Sequence, residues 1–312
     1  MFLLRRFEKC HKIIAIFGEG LIGSSILSAL TASAGFAKEL VGFSYDDAAK
    51  QPGELRHIAH RISQVAERRP MDLCILWCAG TAGFGATECD IQDELAIFRR
   101  VLELAQNSVD LYPKSKISFH LTSSAGGLFE GQKYVTRHSN PAPIRPYGHL
   151  KRSQEELLLS SSARLVKRIY RLSSVYGYIK RGHRMGLIST LIFNGIRQQV
   201  SHIFGNPSTL RDYVWCEDLG KYIARVLLDH EGKENCSIDH LVSGKPSSIY
   251  EIQGIIEGLL GRKIYLAFQD TNTNSSDITF SRIIFPDNWY PIDIETGARS
   301  IYLKWRDCGS IP

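Results

Sequence analysis

From residue 12 to residue 176, short apolar runs alternate with segments of helical period, and this alternation constrains the fold more than any other feature. KIIAIFG (12–18) reads as a strand, with a helix expected over 21–34 and a second strand in ELVGFS (39–44). HIAHRISQVAERR (57–69) has helical spacing at Ile58, Ile62 and Val65, and MDLCILWCAG (71–80) reads as a strand buried on both faces because it does not alternate. ELAIFRRVLELAQ (94–106) is an amphipathic helix, KISFHLTSSAGG (116–127) a strand running into a small-residue loop, YGHLKRSQEELLL (147–159) a helix, and RLVKRIYRLSSVYG (164–177) a further strand and its exit. Repeated strand-then-helix units with right-handed crossovers predict an α/β chain with a Rossmann-like, doubly wound parallel sheet. After Tyr176 the rhythm breaks into a smaller mixed α/β C-terminal lobe, with helices in GLISTLIFNGIRQQV and IYEIQGIIEGLLG and a strand in KIYLAF. The expected division is a Rossmann-like domain over 10–175, receiving a strand and helix from about 211–245, and a second lobe over 176–312.

A length of 312 residues accommodates two such units. With 44% hydrophobic and 22% charged residues, the composition excludes collagenous, disordered and coiled-coil classes. The formal charge of +6 is scattered, which suits an anionic ligand and does not make a nucleic-acid binder. No run of 18 apolar residues exists, and the start MFLLRRFEKCHK lacks the order of a secretory signal, so a cytoplasmic protein without a membrane partner is expected. The seven cysteines form no CxxC and read as reduced thiols, with Cys74 and Cys78 in the core. No histidine has metal-ligand spacing, so no metal is expected.

Gly18-Glu19-Gly20-Leu21-Ile22-Gly23 is a G-x-G-x-x-G between a strand and a helix. The first glycine permits a tight turn, the second lets a pyrophosphate approach the backbone, and the third allows close helix packing. The helix start adds free N–H groups and a positive dipole end. A ribose-binding acid is expected about 20 residues on, at the end of the second strand. Asp46 and Asp47 come slightly after that end, and no arginine there greets a 2′-phosphate, which points to NAD while leaving NADP open.

Tyr147 and Lys151 form Y-x-x-x-K, one turn apart on one helix face. A nearby cation favours the phenolate and makes a tyrosine usable as an acid/base. Ser123 and Ser124 lie upstream at a strand end. His149 falls off the Tyr147 face and reads as a surface residue.

With these residues in hand, the chain resembles the extended short-chain dehydrogenases/reductases, in the NAD-dependent epimerase/dehydratase family acting on nucleotide sugars. The resemblance rests on DLCILWCAG, LTSSAGGLFEG, RPYGHLK, YRLSSVYG, IFGNPSTLRDYVWCEDLGKYIA and HLVSGKPSSIYEIQGIIEGLLG, and it spans nearly the whole chain. It implies Tyr147 as acid/base on a sugar hydroxyl and Lys151 on the cofactor ribose. It also implies Ser124, or Ser123 in the alternative register, on the reacting oxygen. The cofactor set it implies is Gly18, Gly20, Leu21, Ile22, Gly23, Asp46, Ala79, Gly80, Tyr147 and Lys151. On the substrate side it implies Ser123, Ser124, Ser174 and Arg211, the last meeting the nucleotide-sugar end unless it pairs with Asp212 or Asp218. Lys180, Arg181 and Arg184 would add phosphate attraction or form a solvated loop.

Departures from the family pattern are specific. The first loop has one residue fewer between its first two glycines, Ser174 stands where asparagine is usual, and the helix in ECDIQDELAIF lacks N-x-x-G-T. Ala125 and Gly126 follow Ser124, where the family's 4,6-dehydratases carry an acid pair, so dehydration is not expected. Ser, Tyr, Lys and nicotinamide suffice for C4 epimerisation, the preferred reading, and equally for a 4-keto-sugar reductase; a non-catalytic dinucleotide sensor or scaffold is the third class. The resemblance also implies a homodimer through ELAIFRRVLELAQ and YGHLKRSQEELLL, whose outer faces Arg99, Arg100, Arg152, Glu155 and Glu156 would make polar.

Overall fold

The computed structural model describes residues 1–6, 11–33, 35–66, 70–80, 82–83, 85–178, 185–229, 234–269 and 276–307. In chain order the elements are β1 (Phe2–Arg6), β2 (His11–Phe17), α1 (Leu21–Ser33), β3 (Ala37–Leu40), α2 (Gln51–Ala66), β4 (Met71–Trp77), α3 (Glu88–Leu111) and β5 (Lys116–Ser124). They continue with α4 (Ala125–Leu128), α5 (Pro146–Leu159), β6 (Val166–Leu172), β7 (Ser174–Tyr176), α6 (Leu187–Arg197), β8 (Val200–Phe204), β9 (Tyr213–Trp215) and α7 (Cys216–Leu228). The last are β10 (Cys236–Leu241), α8 (Ile249–Leu260), β11 (Tyr265–Gln269) and α9 (Ile294–Asp307).

Seven strands form one sheet in the order β10-β6-β5-β4-β2-β1-β3. β2 and β4 pair in parallel, as do β4 and β5, and their side chains are buried almost without interruption. Continuous burial is what a strand covered by helices on both faces requires. The chain leaves β2 towards one edge and returns at β4 on the other side, so the end of β2 is a topological switch point, the usual ligand position in such sheets.

One strand departs from the parallel sheet read from the sequence. β1 runs antiparallel between β2 and β3, with Phe2 opposite both Ile16 and Leu40. Leu3 and Leu4 of this strand are fully buried. The second strand expected over 39–44 forms instead at Ala37–Leu40, separated from β2 by β1.

The chain divides into two units: Met1–Leu128, Pro143–Arg171 and Gly220–Asp239 in the first, and Phe129–Ala142, Leu172–Leu219 and His240–Pro312 in the second. The first unit's core joins Leu3, Ile13, Leu73, Trp77, Phe98 and Phe119, while the second packs Ile192, Ile252, Ile301 and Trp305 together. β8 pairs in parallel with β11, and β7 with β9.

A buried polar cluster runs from the N-terminal ends of β2 and β4 to the middle of β5. Lys12 pairs with Asp72 at 2.9 Å, and His120 sits between the Tyr170 hydroxyl (2.9 Å) and the Ser118 hydroxyl (3.1 Å). Burial, then the charges of Arg168, Lys12 and Lys116, pull His120 down to about 3, so it is a neutral core residue. Cys74, on the same strands, is buried and its thiol is pushed up to about 12, first by burial and then by Asp72.

Two predictions follow from this packing. Leu4→Ala should cost about 3 kcal/mol in urea unfolding, the usual loss for a fully buried leucine. His120 titrates near 6.5 when unfolded and stays neutral when folded, so only the unfolded chain gains its proton as pH falls below 6.5. Stability should therefore fall with acid by up to about 1.4 kcal/mol per pH unit from this group, and His120→Asn should flatten that limb.

Candidate active site

The glycine loop lies at the end of β2. Gly18 has φ +118, and a β-carbon there would stand 2.5 Å from the Cys78 carbonyl carbon, so the loop lies directly on the exit of β4. A β-carbon on Gly23 would come within 2.1 Å of the Gly18 oxygen, which fixes α1 against the loop. Beside Gly20 there is open space, with no atom within 4 Å of where a β-carbon would be. Ser24 N–H closes the first intrahelical bond, on Gly20 O at 2.9 Å, leaving Leu21, Ile22 and Gly23 N–H as helix-terminal donors. An exposed loop with open backbone and three such donors fits a pyrophosphate. Glu19 is the one acid in the loop, and the Met1 amino nitrogen donates to it at 2.8 Å.

The connection after β3 passes beside the end of β2 and carries Asp46. Asp46 is exposed in the connection after β3. There Phe43 packs edge-on against Phe17 at 5.1 Å and Tyr45 against Phe43 at 5.0 Å. Burial, with help from Cys78 and Glu19, pushes the Tyr45 phenol up. Tyr45 beside the glycine loop had no counterpart in the sequence reading.

Two starts set the phase of the next helices. The Thr87/Asp90 capping box opens α3 and turns Glu94 inward, and Pro146 in the first turn of α5 places Tyr147 there with Lys151 one turn on. The Lys151 ammonium lies 5.6 Å from the centre of the Tyr147 ring. It donates to Glu94 Oε1 at 3.1 Å and to Gln154 Oε1 at 3.0 Å, and Gln154 Nε2 donates to the same Glu94 oxygen at 3.1 Å. Ala82 N–H reaches Glu94 Oε2 at 3.3 Å, and Gly80 lies so close that a β-carbon would be 2.6 Å from that oxygen. Burial alone would pull the Lys151 ammonium down, but the Glu94 carboxylate, followed by Tyr147, holds it above the ordinary lysine value.

The two serines at the end of β5 differ. Ser123 donates to Glu155 Oε1 at 2.6 Å, and Arg171 clamps the same carboxylate at 3.0 and 2.7 Å, so the Ser123 hydroxyl is committed to a buried network. Ser124 Oγ accepts Gly127 N–H at 3.0 Å, which leaves its own proton to donate. The Tyr147 ring lies 3.1 Å from the β-carbon position of Gly127, so α4 brings Ser124 and Tyr147 to one locality. Glu155, read as part of a polar outer face, is in fact buried beneath it; Arg99, Arg152 and Glu156 are more open.

Ser174 and Arg211 belong to the second unit. Ser174 is half-buried, and its N–H donates to Asp212 O at 3.0 Å. Arg211 is held by paired backbone bonds with Ser247, and its guanidinium donates to the Ser276 carbonyl. Asp212 instead accepts the Ser243 hydroxyl at 2.9 Å and the Gly244 N–H at 2.7 Å, and Asp218 accepts Ile292 N–H at 2.8 Å. Lys180, Arg181 and Arg184, like Cys10 and Cys308, lie outside the described residues. His149 is exposed. Among the described residues no three His, Cys, Asp or Glu could hold a metal, and no helix is long and apolar enough to cross a membrane.

The sequence matches the family model of the NAD dependent epimerase/dehydratase family over residues 14–238. The chain belongs to that family. No curated protein matches it. Among solved structures, this family member is similar to UDP-glucose 4-epimerase of the hyperthermophilic eubacterium Thermotoga maritima, solved with UDP-glucose, at 17% identity and TM-score 0.69, covering 95% of this chain and 98% of that one. It is similar to UDP-glucuronic acid 4-epimerase of Bacillus cereus, solved with UDP-glucuronic acid and NAD, at 17% and 0.71, covering 95% and 99%. The ADP-L-glycero-D-manno-heptose-6-epimerase of Helicobacter pylori matches at 18% and 0.72, covering 95% and 96%. At these identities the likeness is one of fold, and it makes the Rossmann-like α/β architecture common to all four.

Glu155→Ala should strand the Arg171 guanidinium and cost about 3 kcal/mol in chemical denaturation. Ser123→Ala, which leaves that ion pair intact, should cost about 1 kcal/mol.

Proposed function

We propose that this family member is an NAD-dependent enzyme working at a sugar carbon of a nucleotide sugar, with epimerisation at C4 as its reaction. The observation that carries the reading is the convergence of Ser124, Tyr147 and Lys151 in the unit whose switch point holds the open glycine loop. Bound NAD supplies the acceptor, and then the donor, of the hydride. The Tyr147 oxygen takes the proton of the sugar hydroxyl as the carbon is oxidised and returns it when the carbon is reduced from the other face, so the sugar is isomerised without net redox change. Ser124 donates its free hydroxyl proton to the same sugar oxygen, its own oxygen being engaged by Gly127 N–H. Lys151, protonated and anchored, supplies a positive field beside Tyr147 and a further N–H for a ribose hydroxyl. Arg211 is the guanidinium suited to the substrate's pyrophosphate, and the net charge of +6 favours two pyrophosphate ligands.

The 4-keto reductase reading uses the same groups and differs by net consumption of reduced cofactor. The sensor reading draws on one observation, the Glu94 carboxylate already seated on Lys151. A panel of UDP-, dTDP-, GDP- and ADP-sugars, with the co-purifying nucleotide identified by mass spectrometry, separates the three. Isomerised sugar without cofactor consumption is expected, and bound NAD with no hydride chemistry on any sugar would favour the sensor. Tyr147→Phe should lower turnover about 100-fold or more while leaving NAD affinity unchanged; unchanged turnover would remove Tyr147 as the proton carrier.

A further inference from the structure

Lys151 is a buried cation, and the group that answers it was absent from every motif. Glu94 comes from the very helix that departs from the family's N-x-x-G-T. Residues 94 and 151 are both 5% exposed. The carboxylate is held on three sides: by the Lys151 ammonium at 3.1 Å, by Gln154 Nε2 at 3.1 Å and by Ala82 N–H at 3.3 Å. Such bonding fixes its position as well as its charge. The other groups near Lys151 do not substitute for it. On α5 these are the Tyr147 ring and the Gln154 amide. Of the two acids of α5, Glu155 is spent on Ser123 and on Arg171 of β6, and Glu156 pairs with Arg152. α4 carries no titratable side chain.

We propose that Glu94 is the positioning residue of the active-site lysine, holding its ammonium in place and keeping it charged where burial would otherwise discharge it. A buried lysine without a counter-ion sheds its proton readily. Uncharged, Lys151 would lose its field on Tyr147 and its strength as a donor to a ribose hydroxyl. The step involves no covalent change, and Glu94 acts through Lys151.

The consequence for turnover rests on the function proposed above, but the pair itself is tested without substrate. Titration of Lys151 by nitrogen-15 NMR, assigned with Lys151→Gln, should show its pKa lowered by about one unit or more in Glu94→Gln. Glu94→Asp should recover most of the wild-type titration. The alkaline limb of NAD affinity against pH should move down in parallel. Thermal denaturation and circular dichroism identify a variant that has failed to fold, and Gln154→Leu, which keeps the carboxylate, should leave the lysine charged. An unmoved Lys151 titration in folded Glu94→Gln overturns the proposal, whatever the sugar panel shows. A lowered titration with no activity on any sugar would retain the pair and discard the reaction.

Discussion

The ligand-facing end of the sheet depends on how closely the loop after β2 lies against the exit of β4. Any side chain on Gly18 would run into the Cys78 carbonyl, and one on Gly23 into Gly18. That contact lets α1 start at the switch point with its terminal N–H groups exposed beside an open backbone at Gly20. Because β4 must pass this close, its exit continues to Gly80 and Ala82 against Glu94, and Glu94 in turn holds Lys151. The phosphate loop and the lysine are therefore linked through backbone packing rather than through any shared ligand.

The features legible in the sequence were those written locally. Unbroken apolar runs marked β2 and β4, and the glycine spacing marked the turn that follows β2. Tyr147 and Lys151 were readable because helical period alone puts them on one face. The illegible features depend on partners far along the chain. Glu94 and Glu155 lie on helices whose charges would ordinarily face water. They are buried because Lys151 and Arg171 arrive from elsewhere to meet them. The pairing of β1 was hidden for the same reason: five residues, FLLRR, have no period strong enough to announce a strand, and the insertion is decided by the edges of β2 and β3.

Among the described residues of the first unit, three ion pairs are largely removed from water: Lys12 with Asp72, Lys151 with Glu94, and Arg171 with Glu155. Each carries a desolvation cost that its attraction does little more than offset, so none is an economical source of stability. Their placement is informative instead. The first is at the N-terminal ends of the strands, whereas the other two tie α5 to α3 and to β6 around the candidate catalytic side chains. A pair that costs as much to separate as to bury fixes geometry, and that is what a proton-transferring tyrosine requires of its surroundings.

The inserted β1 also bears on the order in which the sheet can assemble. In a parallel sheet each strand waits for a partner delivered by a long crossover, and such non-local pairing is slow. β2 is exempt, because Arg6 lies opposite Lys12 and the two strands are neighbours in sequence. Local hairpins of this kind close in about 1–10 μs. The central strand that carries the glycine loop can thus be templated along one edge before α1 and β4 are in place, giving the slow part of the topology a fast nucleus on which to build.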